Sequence, residues 1–102
     1  MIRHVIMWKF KDNYNGETKD EIIAHAESIL LSLRPIIPEI RSMKFERDVL
    51  RSERSFDAIY ITEFDSLEAL EIYRVHPEHQ KVAAYIAEVR EAQAVTDSII
   101  DN

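Results

Sequence analysis

Hydrophobic and polar positions along the chain follow two periods. From residue 2 to 10 the period is two: Ile2, His4, Ile6, Trp8 and Phe10 point one way, Arg3, Val5, Met7 and Lys9 the other. Apolar residues on both faces predict a central strand with each face covered. Asn13, Asn15 and the sole glycine, Gly16, mark a turn over residues 12–16. The period then becomes helical, with Ile22, Ala26, Ile29, Leu30 and Leu33 in one stripe and His25 at its edge. Thr18 with Glu21 fits a capping box at the start of this helix, and Pro35 ends it. Residues 35–38, Pro-Ile-Ile-Pro, are a stiff apolar connector whose isoleucines need cover.

Period two returns at residues 40–49, where Met43 and Phe45 share a face opposite Lys44, Glu46 and Asp48, a pattern that fits a strand near an edge. A polar hairpin connection over residues 50–55 leads to a strand at 56–64, in which Ala58, Tyr60, Thr62 and Phe64 alternate with Asp57, Ile59, Ile61 and Glu63. Asp65 or Ser66 caps a second helix that turns Leu67, Leu70 and Val75 inward and stops before Pro77. A third helical stretch runs from Pro77 to about residue 93, with Val82, Tyr85, Ile86 and Val89 as its stripe. Residues 94–100 form the last strand.

This order, β-α-β-β-α-β with the second helix broken in two, is an α+β, ferredoxin-like pattern with an antiparallel four-stranded sheet. Such a sheet carries helices on one face. The expected open face holds Ile6, Trp8, Met43, Phe45, Tyr60 and Phe64, an apolar patch large enough to imply a partner. Two copies packed through this open sheet face would make a homodimer, a dimeric α/β barrel.

Size and composition narrow the functional classes. A chain of 102 residues implies a single domain over 1–102. It should hold one modest core and no large cavity of its own, so a sizeable pocket would point to the dimer. The chain has no cysteine, which removes disulfides and thiolate metal sites and fits a reducing compartment. Residues 1–10 lack the apolar run and cleavage site of a signal peptide, and no segment reaches the roughly 20 apolar residues of a membrane span. A cytoplasmic location and no membrane partner are therefore expected. The net charge of −6 argues against nucleic acid as a partner. One glycine leaves no phosphate-cradling loop.

The stretch Tyr73-Arg74-Val75-His76-Pro77-Glu78-His79 carries the candidate chemistry. Pro77 disfavours helical geometry at His76 and suits the first position of a new helix. His79 then falls in that helix's first turn, beside unpaired N–H groups and the positive end of the dipole, which disfavour its imidazolium. A neutral imidazole beside a tyrosine is equipped to act as a general base or to hold a polar ligand. The plainer alternative is a histidine hydrogen-bonded to Tyr73 or to backbone. His76 reads as a helix cap or a ligand contact, His4 as a satisfied structural histidine or a ligand contact, and Trp8 as core or a ligand platform. A zinc site from His4, His76 and His79 is disfavoured because proline interrupts the His-x-x-His spacing, so no metal and no cofactor are expected.

Arg3-His4-Val5-Ile6-Met7-Trp8-Lys9-Phe10-Lys11 at the start, Glu63-Phe64-Asp65-Ser66, and Tyr73-x-x-His76-Pro77-x-His79 together resemble the stress-responsive A/B barrel domain family, Dabb. The resemblance spans essentially the whole chain. It implies a homodimer whose two sheets close a barrel, with His4 and the motif histidines near a cleft in each subunit. In a plant polyketide cyclase of the family, the last histidine and the tyrosine of the motif act on the substrate without a cofactor, and the strand-one histidine lies in the pocket. These correspond here to His79, Tyr73 and His4. Leu30 or a neighbouring aliphatic residue stands where that cyclase carries a tyrosine on helix one. The resemblance thus implies a small apolar or aromatic ligand near Tyr73 and His79, and alternatively a cofactor-independent lyase or cyclase with His79 as base.

Overall fold

The strand with apolar residues on both faces, β1 (Ile2–Phe10), is the one around which the sheet assembles. The computed structural model describes residues 1–101. After β1 come a minimal hairpin, β2 (Asn13–Tyr14) and β3 (Glu17–Thr18), helix α1 (Lys19–Leu31), strands β4 (Ser42–Arg47) and β5 (Ala58–Phe64), helices α2 (Leu67–Val75) and α3 (Pro77–Val89), and strand β6 (Arg90–Ile99). The four long strands pair antiparallel in the order β4-β5-β1-β6. This is the expected α+β ferredoxin-like arrangement. The sheet of the single chain stays open, with β4 and β6 at its edges.

Local sequence explains most element ends. Asn15 (φ 47°) and Gly16 (φ 85°) both take positive φ, as the tight turn between β2 and β3 requires. Thr18 caps α1 and forms the full capping box with Glu21. Ser66 caps α2 by accepting the Ala69 N–H, and His76 caps α3 directly before Pro77 at its first position. Residues 35–38 keep Ile37 fully buried while Ile36 stays exposed.

Three expectations need correction. The aromatic face is the covered one. Side chains of directly paired residues share a face, so Ile6 opposite Tyr60, Trp8 opposite Ala58 and Ile2 opposite Phe64 form one set. That set lies under the helices: Trp8 is 2% exposed, Tyr60 and Phe64 0%. The open face instead carries Val5, Met7, Ile59 and Ile61, all half-buried. Alternation separates the two sets, but both are apolar, so it does not say which one the helices cover.

Next, α3 ends at Val89 and β6 begins at Arg90, four residues before the expected strand start. Residues 90–93 hold good helix formers, but pairing with β1 overrides that preference. Finally, α2 buries Leu70 and Tyr73, while Leu67 and Val75 are exposed. Val75 is two residues past Tyr73, about 200° around the helix, and so faces away from the sheet.

Candidate functional site

Covering the aromatic face leaves a cavity inside one chain, between the sheet and α3, of about 270 Å³. It is a modest cavity, and one chain forms it alone. Its walls are largely apolar, with Ile6, Leu30, Val82 and Ile86 among them. Polar groups converge on it from four elements: His4 from β1, Tyr60 from β5, Tyr73 from α2 and His79 from α3.

The junction sets the geometry. Pro77 breaks the helix so that α2 presents Tyr73 and α3 presents His79 to the same space, with ring centroids 4.3 Å apart. The His79 Nδ1–H donates to the Arg74 carbonyl at 3.0 Å. In the neutral ring the lone pair then resides on Nε2, which has no hydrogen bond among the described residues. Burial holds the His79 imidazolium below its ordinary 6.5. The Arg74 carbonyl opposes this by favouring the charged ring, and the nearby positive charges of His4, Arg74 and His76 add to the lowering. The neutrality read from the helix start is therefore present, with desolvation as its main cause.

Tyr73 is 1% exposed, and its hydroxyl meets that of Tyr60 at 3.1 Å. Burial pushes the Tyr73 phenol up to about 12, against a small lowering from the Tyr60 hydrogen bond, and raises Tyr60 further still. Both phenols are thus hydrogen-bond donors at neutral pH, and neither is a base. Across the sheet the His4 Nδ1–H donates to Asp97 Oδ1 at 2.5 Å, which fixes that ring; its Nε2 has no hydrogen bond among the described residues. Trp8 lies beneath, its ring stacked on Tyr60 with centroids 5.9 Å apart and its indole N–H donating to Gln93 Oε1 at 3.0 Å.

Of the residues singled out from sequence, His4, Trp8, Tyr73 and His79 line this cavity. His76 does not: its Nδ1 accepts the Glu78 N–H at 3.1 Å as the cap of α3. Among the described residues no three His, Asp or Glu side chains gather as a metal would need. Sequence reading missed Tyr60, Asp97, Arg90 and Gln93. Tyr60 was legible as an aromatic sharing a face with Phe64, but that face was expected to be the open one. Asp97 becomes a partner of His4 only through the β1–β6 register, which places the two directly opposite each other. Arg90 and Gln93 were hidden inside the helix expected to run to residue 93.

The stress responsive A/B barrel domain model matches residues 2–100. The chain belongs to this family. Among its relatives, olivetolic acid cyclase of Cannabis sativa is 29% identical over 80 residues, which are 76% of this Dabb chain and 75% of the cyclase. A dimeric ferredoxin-like protein of Bacteroides fragilis superposes with a TM-score of 0.85 at 24% identity, covering 97% of this chain and 95% of that one. Hydroxynitrile lyase from Passiflora edulis superposes with a TM-score of 0.82 at 19% identity, covering 98% and 93%. Both superpositions establish the ferredoxin-like fold.

Proposed function

We propose that this Dabb chain, acting as one domain over residues 1–102, binds a small apolar or aromatic molecule in the cavity beside Tyr73 and His79. The observation that carries this is a cavity of about 270 Å³ with apolar walls and a few convergent polar groups, the composition of a small-molecule site. The functional unit in this proposal is a homodimer joined through the open sheet face, where Val5, Met7, Ile59 and Ile61 await cover. The dimeric Bacteroides fragilis protein supports that assembly.

A second reading is favoured by the tautomer of His79. A neutral imidazole tied at Nδ1 and free at Nε2 suits a general base. In this reading His79 Nε2 takes a proton from a carbonyl compound, the charge develops on the substrate's oxygen, and a buried phenol of the Tyr60–Tyr73 pair donates to that oxygen. No cofactor enters. The kinship with a cyclase and the likeness to a hydroxynitrile lyase support a lyase- or cyclase-type reaction.

A thermal-shift screen of aromatic and polyketide-like compounds on wild type and His79→Ala tests both readings, with particle mass from light scattering. A ligand at 100 times its Kd should add about 2.7 kcal/mol. Stabilisation of wild type that weakens in the variant supports the site. A compound that wild type turns over should lose about 10²–10⁴-fold in rate in His79→Ala. Failure of every compound to stabilise wild type counts against a binding role.

A further inference from the structure

We propose that the molecule held in this cavity carries a carboxylate, received at the cavity mouth by the Arg90 guanidinium and the Gln93 amide. This rests on the binding reading above and names the chemistry of its ligand.

A register shift brings these two residues together. Three positions apart on a regular strand, Arg90 and Gln93 would point to opposite faces of the sheet. Between Lys9 and Phe10 the β1–β6 pairing shifts by one: Lys9 faces Ala92, Phe10 faces Arg90, and Glu91 is the extra residue. Gln93 lies opposite Trp8, and Arg90 opposite Phe10. Trp8 and Phe10 share the covered face, so both partners are turned to the helix side, and both line the cavity.

Each of the two also has unspent donors. Arg3, Arg41, Arg47, Arg51 and Arg74 each sit on a carboxylate, and Arg34 donates to a backbone carbonyl. The Arg90 guanidinium has no partner among the described residues, although it is half-buried and the chain carries 19 acidic residues. Arg54, likewise unpartnered, is exposed on the loop before β5. Arg74 also reaches the cavity, but two hydrogen bonds to Glu71 occupy its guanidinium. Gln93 is oriented by Trp8: the indole N–H can only donate, so the amide oxygen must face it. That leaves the Gln93 NH₂ without a partner among the described residues, on the same cavity that Arg90 lines. A guanidinium fork and an amide donor next to apolar walls match a carboxylate on an apolar body. At about 30 Å³ per water-sized volume the cavity takes about nine such volumes, the scale of one aromatic ring with a short acid side chain.

The test uses phenylacetate and its neutral isostere phenylacetamide, titrated into the full-length protein and followed by backbone amide NMR shifts. Wild type should bind the acid about tenfold more tightly than the amide, with shifts at residues lining the cavity. Arg90→Gln should remove that preference, and Arg90→Lys should keep part of it. Because the protein's net charge is −6, diffuse electrostatics would favour the amide, so a preference for the acid reports the local cation. Equal affinities in wild type, or a preference that survives in Arg90→Gln, overturn the carboxylate proposal while amide binding upholds the cavity reading. Binding of neither compound overturns the carboxylate proposal for aromatic acids and counts against the cavity reading as well.

Discussion

His79 and the Tyr60–Tyr73 pair are where single residues decide behaviour. The His79 imidazolium is held below 6.5 in the folded chain, while the unfolded chain keeps the ordinary value. Between the two values the unfolded state binds the proton and the folded state does not, so stability rises with pH there. The contribution is fully present above 6.5 and is lost as pH falls towards the folded value. Urea unfolding at about pH 7.5 and about pH 5.5 should therefore show a smaller loss on acidification for His79→Gln than for wild type. The two tyrosines make the opposite kind of prediction. Tyr73→Phe leaves the buried Tyr60 hydroxyl without its partner and should cost about 1–3 kcal/mol in urea unfolding. Removing both hydroxyls removes the need for pairing, so Tyr60→Phe with Tyr73→Phe together should cost less than the sum of the single changes.

At the scale of elements, the ends matter more than the middles. The capping box at Thr18 satisfies orphan N–H groups at the start of α1, and Thr18→Ala should cost about 0.5–2 kcal/mol by chemical denaturation. Gly16 sits at φ 85° with open space around the site of a Cβ, so Gly16→Ala meets backbone strain and no clash. Its expected cost is about 1 kcal/mol, read the same way. These ends were legible because capping and turn chemistry are local: Thr18, Glu21, Asn15, Gly16, Ser66 and Pro77 act on neighbours a few residues away. The α3–β6 boundary was not legible. Glu88, Arg90, Glu91 and Gln93 continue a helical composition, and only the pairing of Arg90 with Phe10, far away along the chain, stops the helix. The bulge at Glu91 arises from the same pairing, and with it the joint placement of Arg90 and Gln93.

For the whole molecule, the decisive fact is which sheet face the helices cover. The open face carries Val5, Met7, Ile59 and Ile61, which a second copy would bury in the proposed homodimer. A charge at the centre of that face should abolish association: Ile61→Lys is expected to halve the mass seen by light scattering while leaving far-UV circular dichroism unchanged. No helix among the described residues is long and apolar enough to cross a membrane.

The amino-acid sequence by itself determined the order of elements, their caps and turns, the grouping of strand residues into two faces, and the proximity of Tyr73 and His79 across Pro77. Each follows from interactions that span a few residues, or from a strand's strict alternation. The tertiary structure alone decided which face is buried, the pairing of His4 with Asp97, the meeting of the Tyr60 and Tyr73 hydroxyls, and the turn of Arg90 towards the cavity. Each of these depends on strand register and on helix packing between residues far apart in the chain. Two apolar faces with the same period look alike until a helix lies on one of them.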